Sequence, residues 1–214
     1  MQDKHKKAIR IAAGLALIAY AGKAYWLKQP EPGEWLSVRR TYDGWGYSPL
    51  DQITPQNVAR LQPVWIASTG ATNGHEAPAL VNGGVMIVST PGNQVIALDA
   101  KSGVVLWRYR RPIPEDAVVM HPTSRGVALY GDKVYVGANE GVLVALDART
   151  GKEVWTANVG ENQSGYYMTL APLVAEGVVM IGASGGEFGI RGFVAAYDAD
   201  TGKPAWKTYM VPAP

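Results

Sequence analysis

Cysteine is absent from this sequence, and with it go a disulfide framework, a thiolate metal site and a covalently attached c-type haem. The absence is silent about compartment, since an exported protein needs no disulfide. Excess charge is missing as well. Twenty Lys and Arg against 18 Asp and Glu leave a formal charge of +2, which offers no electrostatic ground for a nucleic-acid partner. Uninterrupted apolar length is also scarce. The one candidate run, residues 11–22, is broken by Lys23 before Ala24, short of the ~20 residues a spanning helix requires. What is present in quantity is 25 Gly, 14 Pro, 7 Trp and 11 Tyr, a composition of many short strands and tight turns rather than long helices. With 47% hydrophobic residues among 214, the chain can fill the core of one domain of ordinary size.

The N-terminus carries its own message. Lys4, Lys6, Lys7 and Arg10 precede the apolar run, and Ala19-Tyr20-Ala21 offers a small-x-small cleavage site. A basic head before about a dozen apolar residues has the form of an export signal. Residues 1–27 are accordingly read as a cleaved signal or as a retained membrane anchor. The anchor requires Lys23 to reach the interface along its aliphatic stem. In both cases residues 28–214 face the far side of a membrane.

A repeat dominates the remainder. The frame Ala-x-Asp-x₃-Gly-x₃-Trp occurs three times without gaps, beginning at Ala97, Ala145 and Ala196 and ending at Trp107, Trp155 and Trp206. The tryptophans stand 48 and then 51 residues apart, a period that belongs to four-stranded propeller blades. Within each unit an apolar strand runs into Asp-Ala-x-Ser/Thr-Gly, and a second strand ends in Trp. The Asp can accept bonds from turn amides, and the Gly supplies the positive φ of a hairpin turn with a bulge. Upstream of each unit lie two further apolar runs joined by a short Gly turn, at Asn82-Gly83-Gly84, Gly131-Asp132 and Glu176-Gly177. Two plus two strands make one blade. The repeated Trp is expected to be an aromatic plate wedged between neighbouring blades.

Trp65 fits the pattern in part. Residues 61–67 read as a Trp-ended strand, but no Asp-Gly frame precedes them. A strand without its blade is what a ring-closing N-terminal strand would look like. Three blades and a loose strand fall short of the four to eight that close a propeller. The expectation is an all-β chain forming the N-terminal portion of a longer protein.

From about Trp35 onward the sequence resembles the pyrroloquinoline quinone (PQQ)-dependent dehydrogenases, quinoproteins that oxidise alcohols or sugars on eight-bladed propellers with this tryptophan frame. Trp45-Gly46-Tyr47-Ser48-Pro49-Leu50-Asp51-Gln52-Ile53 is similar to the family's opening segment. The resemblance implies a role for several residues. In Ser184-Gly185-Gly186-Glu187, Ser184 and the two glycines would approach the quinone, and Glu187 would ligate a divalent cation. Glycines permit close backbone approach, and a carboxylate suits Ca²⁺ or another hard cation such as a lanthanide. Thr169 would place a hydroxyl on a cofactor carboxylate, at the required separation of 18 residues from Glu187. Arg125 would pair with the same polyanion, and Glu76 matches the acidic residue at the head of the first full blade. Each of these lies before the first strand of a successive blade, so all would converge on one end of the propeller axis.

There is one departure. Where many alcohol-oxidising members carry a vicinal Cys pair, this chain has Val119 and Met120. The following run His121-Pro122-Thr123-Ser124-Arg125 is more like the membrane-bound glucose-oxidising branch, with His121 as the candidate ring-facing residue. The family's Asp base, its Asn cation ligand, the Arg at the quinone oxygens and the Trp below the ring belong to later blades and have no counterpart here. The implied protein is periplasmic, secreted or anchored, oxidises an alcohol or sugar, and passes electrons to cytochrome c or ubiquinone. Residues 1–214 alone would be inactive. A non-catalytic propeller, serving as envelope scaffold or sensor, accounts for the tryptophans equally well but gives no reason for Glu76, Arg125, Thr169 and Glu187 to occur together.

Overall fold

The computed structural model describes residues 31–41 and 43–213. The signal or anchor expected over residues 1–27 lies outside the described residues. Among these, no helix is long and apolar enough to cross a membrane.

Among the described residues, twelve strands form three antiparallel four-stranded sheets. The first holds β1 (Leu80–Asn82), β2 (Val85–Thr90), β3 (Gln94–Asp99) and β4 (Val105–Arg110). The second holds β5 (Ala128–Tyr130), β6 (Lys133–Ala138), β7 (Val142–Asp147) and β8 (Glu153–Asn158). The third holds β9 (Leu173–Ala175), β10 (Val178–Gly182), β11 (Phe193–Asp198) and β12 (Pro204–Tyr209). Strands neighbour one another in chain order within every sheet, as in the blades of a propeller. The middle strands are apolar without alternation and read as buried on both faces. Val95, Val134, Val144, Leu146 and Ala196 are each 1% exposed or less. Two apolar clusters result, one uniting the first and second blades and one the second and third.

The repeated frame builds the β3–β4, β7–β8 and β11–β12 turns as its chemistry requires. Asp147 Oδ1 accepts the Thr150 amide at 2.8 Å and the Thr150 hydroxyl at 2.7 Å. Asp99 and Asp198 do the same with Ser102 and Thr201. These hydroxyl and amide donors hold all three carboxyls below the ordinary value of 3.8. A carboxyl lowered by folding stabilises the fold above its unfolded value and ceases to do so as pH falls through the folded value. The wild-type protein is therefore expected to lose more thermal stability than Asp147→Asn as pH is taken from 5 to 2. Parallel melting curves would refute this.

The last residue of the frame meets the next blade. Gly103, Gly151 and Gly202 have φ of 70–72°, and a Cβ built on any of them would lie within 2.4–2.6 Å of a tryptophan ring from the preceding unit. Trp65 covers Gly103, Trp107 covers Gly151 and Trp155 covers Gly202. Each indole N–H then donates to a carbonyl beside the turn, Ala100, Ala148 and Ala199 respectively, at 3.0–3.1 Å. The frame is thus a socket and a plate. Gly serves both for its φ and for its missing side chain.

Trp65 plays this part although the strand expected over 61–67 does not form. A strand exists only with a ladder partner, and no described residue pairs with this segment, whose Val64 and Ile66 stand 87% and 88% exposed. Trp206, at the other extreme of the series, is 45% exposed.

Candidate functional site

Antiparallel meandering sorts the connections of the blades to two ends. The β4–β5 and β8–β9 connections share one end with the β2–β3, β6–β7 and β10–β11 turns. Glu76 precedes β1, Arg125 precedes β5, Thr169 precedes β9, and Ser184 to Glu187 occupy the β10–β11 connection. All the expected residues of blade heads and turns therefore gather at one end.

There most of them join in a single string. The Thr123 hydroxyl donates to Glu76 Oε1 at 3.2 Å, and Glu76 Oε2 lies 3.0 Å from Arg125 Nε. Arg125 Nη1 donates to Thr169 Oγ1 at 2.5 Å, and the Thr169 hydroxyl exchanges a bond with that of Ser184 at 3.0 Å. The Arg125 backbone N–H also donates to the Thr169 carbonyl at 2.8 Å. The string crosses three blades. The Glu76–Arg125 pair is about half exposed, so by itself it adds only ~0–1 kcal/mol to stability. Its effect is to orient the guanidinium, which uses two of its five N–H donors here and keeps the rest for another acceptor.

The β10–β11 connection is unlike its counterparts. Residues 91–93 and 139–141 are three-residue turns, whereas residues 183–192 make ten. The near-constant tryptophan spacing conceals this, because the connection entering the third blade, 159–172, is three residues shorter than 111–127 and β10 is one residue shorter than β6. The enlarged turn folds back onto the 159–172 connection. Ser184 and Tyr167 exchange backbone bonds at 2.8 and 3.2 Å, and Phe188 meets the Tyr167 ring edge-on at 6.1 Å. Gly185 has φ 125°, and a Cβ there would stand 2.0 Å from the Gly165 carbonyl oxygen, a backbone atom that cannot swing aside. Gly186 has nothing within 4 Å of where its Cβ would be, so its backbone borders open space. Gly185→Ala is expected to push the Ser184–Glu187 segment away from Tyr167 and expose the loop to proteolysis between Ala183 and Gly192. Limited digestion compared with Gly186→Ala, which has room, is the check; equal cleavage of the two would contradict it.

Glu187 lies in a single helical turn, Gly186–Phe188, with its side chain exposed. Burial pushes the Tyr167 phenol up, the Glu187 carboxylate adds in the same direction, and Arg125 opposes it. The two charges thus act on one buried ring. Among the described residues no three carboxylates or imidazoles cluster to hold a metal ion, so Glu187 is a lone ligand candidate. His121 is not drawn into the string. It stands exposed on the 111–127 connection, while the next residue is tied down by the Gly92 N–H donating to the Pro122 carbonyl at 2.9 Å.

Sequence reasoning missed Thr123, Tyr167 and the asparagines behind them. Asn93 and Asn139 sit in the short β2–β3 and β6–β7 turns, where Asn is an ordinary turn residue and gives no other signal.

Tryptophan-docked four-stranded blades thus carry a string of hydroxyl, guanidinium and carboxylate groups across one end. Residues 35–213 match the family model described as "PQQ: Glucose/ethanol/alcohol dehydrogenase, beta-propeller domain", and the chain belongs to that family. It is 50% identical over 186 residues to quinohemoprotein alcohol dehydrogenase ADH IIB of Pseudomonas putida, covering 84% of this chain and 26% of that protein. It is 41% identical over 187 residues to the lanthanide-dependent methanol dehydrogenase of Methylacidiphilum fumariolicum, covering 85% and 31%. Among solved structures, the quinohemoprotein alcohol dehydrogenase of Comamonas testosteroni superposes with a TM-score of 0.81 at 39% identity, over 89% of this chain and 29% of that one. The chain spans roughly a quarter to a third of the length of these relatives.

Proposed function

We propose that this chain supplies the carboxylate-gripping sector of a PQQ-dependent alcohol dehydrogenase with an eight-bladed propeller. The observation that carries the reading is the unbroken string from Glu76 through Arg125 and Thr169 to Ser184 across three blade heads. A planar tricarboxylate needs fixed donors from several directions. Arg125 and the Thr169 and Ser184 hydroxyls are such donors, and the open backbone at Gly186 leaves room for a flat molecule. Glu76 and Arg125 are paired with each other, and the exposed Glu187 carboxylate is the candidate ligand for a cation bound with the tricarboxylate. Ca²⁺ takes six to eight oxygen ligands, so Glu187 would be one among several, the others coming from the cofactor's own oxygens and from parts of the relatives' propeller that this chain does not match.

PQQ, when bound, would supply the two-electron oxidising chemistry needed at the substrate carbon. The residues of this chain hold it: Arg125 balances a carboxylate, Thr169 and Ser184 fix its register, Glu187 anchors the cation, and Gly185 keeps Glu187 in reach. The base that removes the substrate hydroxyl proton belongs to later blades, as does the face that sees the substrate. An alcohol is favoured over a sugar because the relatives named above act on alcohols, although His121 stands where a sugar-oxidising pattern would put it. The export form of residues 1–27 fits a periplasmic protein whose electrons leave to a cytochrome or a membrane quinone. Residues 1–214 alone are expected to show no turnover.

The test is reconstitution of the complete protein with PQQ and either Ca²⁺ or La³⁺, followed by alcohol-dependent dye reduction. Glu187→Ala is expected to raise the cation concentration needed for half-activation by at least about tenfold, the loss of roughly one charged ligand. An unchanged cation requirement would remove Glu187 from the site, and failure to bind PQQ would refute the reading.

A further inference from the structure

Behind the string lies a side chain that bonds to the backbones of the loops that carry it. Asn139, 1% exposed, opens the β6–β7 turn. Its Nδ2 donates to the Thr123 carbonyl at 3.0 Å and to the Met168 carbonyl at 2.8 Å. Those carbonyls stand two residues before Arg125 and one before Thr169. The Met168 N–H returns a bond to the Asn139 carbonyl at 3.3 Å. The Asn139 N–H donates to Asn93 Oδ1 at 2.7 Å, which brings in the first blade. Asn139 is therefore the point where all three blade heads meet.

Two features argue that these bonds serve the loops and not the blade. None of the side-chain bonds goes to the ladder of the second sheet, whose stability comes from residues such as Val134, Val144 and Leu146. In addition, Asn139 Oδ1 is buried with no hydrogen-bond partner among the described residues. A buried acceptor left unmatched is a cost, and an apolar residue would avoid it. Only a side chain with two N–H donors on one nitrogen satisfies both carbonyls at once. The orientation of the amide follows, since turning it over would set Oδ1 against two oxygens.

We propose that Asn139 is a positioning residue for cofactor binding: it sets the separation of Arg125 and Thr169 by fixing the backbones of both loops. This rests on the reading that those two residues grip a PQQ carboxylate. A group that orients direct ligands through one intervening contact changes affinity by about 10- to 100-fold when removed.

The experiment titrates PQQ into the complete, cofactor-free protein with its cation present, for the unaltered protein, Asn139→Ala, Thr169→Val, their double variant and Val144→Ala. Val144, fully buried in the second blade, serves as the control for mere destabilisation. Asn139→Ala is expected to weaken PQQ binding by about 10- to 100-fold, and the double variant to be within about twofold of the weaker single, because two changes acting on one contact do not add. Val144→Ala should lower the melting temperature while leaving PQQ affinity unchanged. Wild-type affinity in Asn139→Ala would overturn the proposal. So would losses that multiply in the double variant, or a Val144→Ala affinity that falls with its stability. If the unaltered protein binds no PQQ, the underlying reading fails and this one falls with it. If Thr169→Val weakens binding and Asn139→Ala does not, this one alone fails.

Discussion

Arg125→Ala in the complete protein is expected to weaken PQQ binding by about 100-fold or more, the largest effect of any substitution at this end of the propeller. A hydrogen bond to a charged partner is worth ~1.5–3 kcal/mol, and each 1.4 kcal/mol is a factor of ten. The guanidinium also ties Glu76 to Thr169. Without it, Glu76 becomes an uncompensated negative charge beside a tricarboxylate. Arg125→Lys should recover only part of the loss, since an ammonium cannot hold Glu76, Thr169 and a cofactor carboxylate in one plane. Double substitution with Glu76→Gln should be milder than Arg125→Ala alone, because it removes the stranded charge. Fluorescence titration of the cofactor-free protein measures all three. Full affinity in Arg125→Ala would mean that the string orders the loops and binds nothing.

The second large effect is on the fold. Trp107 is 8% exposed, closes its indole N–H on the Ala148 carbonyl and lies flat on Gly151. Trp107→Ala is expected to cost ~3–5 kcal/mol, a large share of the ~5–15 kcal/mol that holds a typical domain together. Gly151→Ala should be damaging from the other side of the same contact. Its Cβ would stand 2.4 Å from the Trp107 ring on a backbone with φ of 70°. Once the ring is gone, the added methyl has space and only the φ penalty remains, ~1–2 kcal/mol. The double variant should therefore lose clearly less than the two singles together. Denaturant unfolding gives the three values, and simple additivity would show that the ring and the glycine do not form one joint.

The blades were legible because everything that makes them is local. An Asp three residues before a Ser or Thr and four before a Gly can only cap its own turn, and the three turns carry the same bonds to within 0.1 Å at Asp99, Asp147 and Asp198. The convergence of Glu76, Arg125, Thr169 and Glu187 on one end is expected from their places ahead of or between strands; the structure strings the first three together with Ser184 and leaves Glu187 outside the string. His121, expected to face the quinone ring, stands exposed on the 111–127 connection and is not bonded into the string. Trp65 was recognised as a member of the tryptophan series but not as a plate without a strand, since its socket, Gly103, lies 38 residues away. The ten-residue turn at 183–192 was hidden by two compensating deletions. Asn139 was hidden by being an unremarkable turn residue.

The sequence by itself determined the blades: apolar strands of fixed length, turns closed by their own Asp and Gly, and a tryptophan at a fixed offset. Only the tertiary structure decided what the blades do to one another. Arg125 and Thr169 are 44 residues apart, and their bond depends on the angle at which one sheet is set on the next. That angle is fixed by a ring pressed on a glycine of the following blade and by an asparagine holding two loops from behind. Neither contact has a signature within reach of a turn or a strand, because each joins residues of different units, tens of residues apart in the chain for the ring and its glycine.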